Sequence, residues 1–262
     1  QRGFAGSVLV ACGDAVLFAG DYGPERQGRE PSYWVASITK QFTAVAILQL
    51  ARAGRLSLED PVARYFPDAP EDKAGVTIRH LLLHQSGLAQ AYRADGLAER
   101  SEAAAAILAG DVLSPPGAEF HYSNDNYTLL AIIIELVSGQ RYEAYMRTHV
   151  IDAAGMQRAG FWPEAGDDLV PPLMSETDEA LSAANWGFRG GTGMRASVSD
   201  LHRWARALDA GVVLAPEDTA LLYGPHIVTE SGAGIGFGWY WSQIDGVSWY
   251  STRGSDSAGY NA

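Results

Sequence analysis

The sequence holds a single cysteine, Cys12, among 262 residues. One thiol cannot build an internal disulfide framework or a thiolate zinc cluster. Long apolar runs are lacking as well. A bilayer span needs roughly 18–20 consecutive apolar residues, and the longest stretch here, YTLLAIIIELVSG, is interrupted by Glu135 and reads as a buried helix. Positive charge is scarce: 19 Lys and Arg stand against 31 Asp and Glu, a formal net charge of −12. Nucleic acid needs a basic footprint, so a polyanion partner is excluded. Internal repeats and low-complexity tracts are also missing. What remains is the composition of a soluble globular chain, 47% hydrophobic and 19% charged, long enough for one large domain or two lobes sharing a core.

The chain starts at Gln1 and enters a strand pattern within a few residues. Removal of a signal peptide leaves such a start, as does any other trimming; export to a periplasm or the exterior is the expectation. Val8, Leu9 and Val10, then Gly13-Asp14, then Val16, Leu17 and Phe18 predict a hairpin. A helix is predicted from near Ser37 to a stop at Gly54, with short helices after Ser57 and within VTIRHLLLHQSGL. Helices also follow from SEAAAAILAG, NYTLLAIIIELVSGQ, RYEAYMRTHVIDAAGM and SVSDLHRWARALDAG, the last capped by Ser197 or Ser199. Residues 160–193, with Pro163, Pro171 and Pro172, read as irregular, and the acidic PEAGDD as a solvated loop. The C-terminal stretch turns aromatic and alternating around Asp245-Gly246. Strands at both ends and helices between them predict an α/β fold with one sheet assembled from both termini.

Three constellations carry chemistry. Ser37 and Lys40 form an S-x-x-K pattern. Residues three apart share a helix face, so the lysine amine reaches the serine hydroxyl. A lysine kept neutral by burial can take that hydroxyl's proton, and helix N-terminal dipoles stabilise negative charge beside it. The bland alternative is a cap serine with a snorkelling lysine. Tyr122 and Asn124 follow the breaker-rich SPPGAEFH at a helix start, where Asn124 or Asp125 would otherwise be an N-cap. Near the C-terminus, Arg253, Gly254 and Ser255 combine a permanent cation with a glycine that allows close backbone approach.

In this order, S-x-x-K, Y-x-N and a cation–glycine strand, the chain resembles the penicillin-recognising serine hydrolases, nearest the class C β-lactamase-like members with their D-aminopeptidase and esterase relatives. SITKQFTAVAILQLARAGRLSLEDPVARYFP, VTIRHLLLHQSGL, FHYSNDNYTLLAIIIELVSGQRYEAYM and GMRASVSDLHRWARAL carry the likeness over nearly the whole chain. The resemblance implies a β-lactamase-like serine hydrolase fold: an antiparallel sheet flanked by helices, with a mostly helical second lobe. The expected division is 1–55 with 191–262 as the sheet lobe and 56–190 as the helical lobe.

It also implies Ser37 as acylated nucleophile, with Lys40 and Tyr122 sharing the proton work. Lys40 is then either the neutral base or a cation that makes Tyr122 a phenolate base. Asn124 would bond substrate and Lys40, and the oxyanion hole would use the N–H of Ser37 and one near Ser255. No metal or organic cofactor is implied. The third motif departs from the family's Lys or His, small residue, Gly. Thr252-Arg253-Gly254 or Arg253-Gly254-Ser255 fills the slot, and arginine cannot shuttle a proton.

The expected substrate is a small ester, amide or peptide. A broad esterase or amidase ranks first, D-peptidase or β-lactamase second, and a non-catalytic sensor or scaffold is the alternative of a different class. Relatives continue past the third motif with further strands and a helix, so a companion C-terminal fragment or second chain is also expected. His80 and His84, four apart, read as structural, the glycines of GAGIGFGW as strand alternation, Trp239 and Trp241 as core, and Ser86 as no nucleophile for want of a preceding glycine.

Overall fold

A computed structural model describes residues 4–23, 30–162, 185–229, 232–255 and 262. PEAGDD and Pro163, Pro171 and Pro172 lie outside the described residues. The predicted hairpin is present as β1 (Gly6–Cys12) and β2 (Ala15–Tyr22), with Cys12 opposite Ala15 and the turn at Gly13-Asp14. Gly13 takes φ +57°, a conformation that glycine adopts without a Cβ clash.

The core is built on two helices. The first, α1 (Thr39–Arg52), ends in a left-handed Gly54. Gly54 N donates to Ala51 O at 2.9 Å and Arg55 N to Leu50 O at 2.9 Å, so glycine past the last turn satisfies carbonyls the helix leaves open. Between α1 and the next long helix lie α2 (Glu71–Ala74), α3 (Ile78–Leu82) and α4 (Arg100–Leu108). Then α5 (Asn124–Ser138) runs through the core, buried from Asn124 to Glu135 and stopped by left-handed Gly139. Its apolar circumference explains its place: a helix hydrophobic all round must be surrounded by protein. The next predicted helix divides into α6 (Tyr142–Met146) and a π turn, Arg147–Ile151.

A small antiparallel sheet joins β3 (Tyr33–Trp34), β4 (Gly160–Phe161) and β5 (Met194–Ala196), with β5 central. It anchors the chain entering α1, since Val35 N donates to Met194 O at 3.0 Å and Met194 N to Thr39 Oγ1 at 3.1 Å. Ser197, of the two predicted caps, caps α7 (Val198–Asp209) by accepting from Asp200 N. After α8 (Pro216–Tyr223) come β6 (Ile227–Val228), β7 (Gly234–Ile235), β8 (Tyr240–Ile244) and β9 (Val247–Ser251), paired in that order. Asp245 and Gly246 both have positive φ, as a tight two-residue hairpin turn requires.

Among the described residues β1–β2 and β6–β9 are separate ladders, and residues 256–261, which follow the last strand, lie outside them. The outer edges of β9 and of the β1–β2 pair meet no strand there. The hairpin is held from the side by α7 instead, through His202 Nε2 and Gly13 O (2.9 Å) and an Arg206–Asp14 ion pair (2.7 Å). GAGIGFGW is likewise not one strand; β7 stops at Ile235 and the chain turns before β8.

Candidate functional site

Ser37 does not open α1 itself. It sits in a 3-10 turn, Ala36–Ile38, that leads into the helix. Ala36 before it has φ +45°, a strained conformation for a residue with a Cβ. Strain of this kind persists where surrounding structure fixes it, and it clusters at functional sites. Lys40 follows in the first turn of α1 and is 3% exposed.

The two predicted motifs meet. Ser37 Oγ lies 2.7 Å from Tyr122 OH and 3.2 Å from Lys40 Nζ. Lys40 Nζ also donates to Asn124 Oδ1 at 2.7 Å and to Gly191 O at 3.0 Å. The Tyr122 ring centroid is 4.9 Å from the amine and that of Tyr127 5.5 Å. Burial lowers the Lys40 pKa from its usual value to about 7, because the desolvated ammonium is disfavoured. Burial also pushes the Tyr122 phenol above its ordinary range, against a smaller opposing effect of its bond to Ser37.

Asn124 is the first residue of α5 rather than its cap; Ser123 holds the cap position and donates its hydroxyl to Ala89 O at 3.0 Å. That leaves the Asn124 amide free to face Lys40. Asp125, the other cap candidate, is buried and pairs with Arg93 at 2.9 Å.

The third motif forms the facing wall. Thr252 and Arg253 line the cleft with Ser37, Lys40, Tyr122 and His84. Gly254 is buried, and a Cβ there would lie 2.0 Å from Val35 O, so only glycine lets this segment lie against the turn that carries Ser37. Gly254 is thus the motif's close-approach glycine, and Ser255 is exposed beyond it. Arg253 is exposed and forms no ion pair among the described residues; its charge lowers the Tyr240 pKa against the larger raising effect of burial.

Several cleft residues escaped the sequence reading. Ile235, Gly236, Gly238, Trp239 and Tyr240 line it, and Trp239, half-buried and packed against the core, serves as a wall of the cleft as well. Gly238, at φ +75°, puts its missing Cβ 2.8 Å from Gln41 N, and this close approach brings the wall onto α1. The alternating glycines were the available signal. Gly191, which gives Lys40 its third partner, lies in the glycine-rich stretch before β5. The histidines have defined places: His80 closes a capping box with Thr77 at the start of α3, and His84 packs behind Tyr122. Ser86 donates to Asn126 Oδ1 at 2.6 Å, a structural bond.

A family model described as Beta-lactamase matches residues 6–262. The chain is similar to penicillin-binding protein 4* of Bacillus subtilis (strain 168), 31% identical over 271 residues, covering 91% of this chain and 59% of that protein. A second curated relative is covered over 53% of its length, so the chain spans between half and three fifths of these relatives. Among solved structures it is similar to a penicillin binding protein from Bacillus halodurans, TM-score 0.82 and 25% identical, covering 95% of this chain and 84% of the other. It is also similar to a D-stereospecific amidohydrolase from Streptomyces sp., TM-score 0.77 and 26% identical, covering 91% and 79%.

Proposed function

The chain belongs to the Beta-lactamase family and has its fold, and on that premise we propose that it is a serine hydrolase acting through an acyl-enzyme on Ser37. The observation that carries this is a serine hydroxyl held between a buried amine at 3.2 Å and a phenol at 2.7 Å, at the base of an open cleft. A nucleophile within hydrogen-bond reach of its base is the arrangement that activates a hydroxyl.

Of the two bases, neutral Lys40 is favoured. Its pKa of about 7 leaves a large unprotonated fraction at neutral pH, whereas burial opposes a Tyr122 phenolate. A neutral amine has two N–H groups and one lone pair. The N–H groups suit Asn124 Oδ1 and Gly191 O, and the lone pair then faces Ser37 Oγ. As Oγ bonds to the substrate carbonyl carbon, its proton passes to Nζ. Collapse of the tetrahedral intermediate expels an alcohol or amine, which takes a proton from Lys40 or through Tyr122. Water then attacks the acyl-enzyme carbonyl and gives a proton to Lys40; the carbon–Oγ bond breaks, the acid leaves, and Lys40 returns the proton to Ser37 Oγ.

Asn124 orients Lys40 and faces the substrate. Ser37 N–H is one oxyanion donor and Ser255 N–H the other. Gly254 directs its own N–H to Ala262 O at 2.8 Å, and alternate residues of an extended chain aim their N–H groups to opposite sides. Arg253 meets the acyl or leaving-group substituent, with preference for a carboxylate. No residue here calls for a metal or organic cofactor in this chemistry.

A broad esterase or amidase is the first reading of the substrate, since esters are the easiest acyl donors and need least from the third motif. A D-amino-acid amide or peptide is the second, favoured by the likeness to the Streptomyces amidohydrolase; a β-lactam takes the same site. A non-catalytic scaffold fits less well, because it has no use for a desolvated lysine beside a serine. Hydrolysis of p-nitrophenyl acetate, abolished by Ser37→Ala, tests the reading; parent-rate turnover by that variant refutes it.

The same reading extends to the whole protein. Residues 1–55 with 191–262 act as the sheet lobe and 56–190 as the helical lobe of one catalytic unit. Export to a periplasm or the exterior is proposed. A companion segment or second chain covers the exposed apolar residues Leu17 and Phe18 of β2 and Val247, Trp249 and Tyr250 of β9. Intact-mass analysis with size exclusion tests that last point, and an active monomer of 28.1 kDa without companion polypeptide contradicts it.

A further inference from the structure

The mechanism above makes no use of one buried, titratable ring in the cleft. His84 is 5% exposed, lines the site, and holds φ +55°, a left-handed backbone that residues with a Cβ adopt only when the surroundings fix it. What fixes it is the segment bearing Tyr122. His84 O accepts from His121 N at 2.7 Å, and His84 Nδ1 accepts from Ser123 N at 3.1 Å. The residues on either side of Tyr122 are thus bonded to one histidine. The imidazole also stacks on the Tyr122 ring, centroids 4.4 Å apart and planes 29° from parallel. Phe120 and Tyr127 bracket the imidazole at 5.7 and 5.2 Å, so it cannot tilt away from Tyr122.

We propose that His84 is a positioning residue for Tyr122: it clamps the backbone on both sides of the tyrosine and presses the phenol toward Ser37. The inference rests on the reading of Ser37 and Tyr122 given above. The left-handed backbone turns the carbonyl and ring of one residue toward the same three-residue segment. Because Nδ1 accepts from an amide, the ring proton must sit on Nε2. Burial holds the imidazole neutral, which the acceptor role requires. Asn126 Nδ2, 3.4 Å from Nδ1, approaches the same acceptor. The hydroxyl of Tyr122 is 2.7 Å from Ser37 Oγ, and a small rotation of the phenol would open that contact. Misplacement on the order of 1 Å is enough to cost rate without loss of substrate binding.

A double-mutant cycle tests this, with His84→Asn and Tyr122→Phe assayed on p-nitrophenyl acetate. Asparagine tolerates the left-handed backbone and keeps an acceptor for Ser123 N–H, but removes the ring. His84→Asn is expected to lower kcat about tenfold and to leave KM within about twofold. In the Tyr122→Phe background it is expected to add no further loss, since the residue it positions has lost its hydroxyl. An unchanged kcat, or the same fold-loss in both backgrounds, overturns the proposal. A measurement on the unaltered protein stands beside the cycle in case the variant does not fold. Nitrogen-15 NMR of labelled histidine is expected to show His84 with an unprotonated Nδ1 at neutral pH, and a protonated Nδ1 refutes the clamp. Labelled Ser37 with additive losses sinks this proposal alone. A wild-type chain that neither turns over ester nor takes up a fluorophosphonate sinks the functional reading and this proposal together.

Discussion

The two walls of the cleft differ in kind. One is made where the start of α1 meets the start of α5: Lys40 and Asn124 are buried, and Ser37, Lys40, Tyr122 and Asn124 are linked by bonds of 2.7 to 3.2 Å. The other is made by Ile235, Gly236, Gly238, Trp239, Tyr240, Thr252 and Arg253, of which Arg253 is exposed and forms no ion pair among the described residues. The first wall is built into the core and has little freedom to vary. The second touches the first through missing side chains, Gly238 against Gln41 and Gly254 against Val35, and exposes Tyr240 and Arg253 to solvent. The proposed mechanism accordingly places the chemistry of the desolvated amine on the first wall and substrate choice on the second.

That division is broken most severely at Ser37. Ser37→Ala is expected to cost about a thousandfold or more in kcat for p-nitrophenyl acetate, because a nucleophile and its base act as a unit. Next comes Lys40. Lys40→Arg keeps the charge but cannot deprotonate, so a loss of about a hundredfold to ten-thousandfold is expected for removal of a general base. The unaltered protein should show the matching pH profile. Folding lowers this pKa to about 7, and in the proposed mechanism the unprotonated amine is the active form, so activity is expected to fall as pH drops through about 7 and to level off above it. Substantial turnover by Lys40→Arg, or a profile flat across that range, would move the base to Tyr122. The smallest effect belongs to the open wall. Arg253→Gln should raise KM for substrates bearing a free carboxylate by about fivefold, as suits a solvent-screened ion pair, and leave neutral esters unchanged. Equal losses on both kinds would make Arg253 a tuner of the nearby tyrosines instead.

The first wall was legible in the sequence and the second only partly. Ser37 and Lys40 stand three apart, and Tyr122 and Asn124 sit beside a helix start, so local spacing brings out their chemistry. Gly191 is 151 residues from Lys40, and no local pattern announces that its carbonyl will complete the amine's shell. His84 was legible as a turn residue, but not as a ring stacked on Tyr122 38 positions away, since stacking is decided by tertiary packing. The helices were legible wherever caps and apolar periodicity agreed, as at Ser197 and Gly54. How the terminal strands join was not legible, because alternation marks a strand without naming its neighbour. The need for glycine at 254 was unreadable for a related reason: what requires it is contact with Val35 O, a distance that exists only once the fold has formed.

The central claim is that Ser37 is the activated nucleophile of this chain. Incubating the purified protein with a fluorophosphonate, then digesting it and mapping the adduct by mass spectrometry, tests that claim without requiring the natural substrate. One adduct per chain is expected, on the peptide containing Ser37, formed more slowly as pH falls through about 7 and absent from Ser37→Ala. An unlabelled protein, or label that persists at another residue in Ser37→Ala, would contradict it.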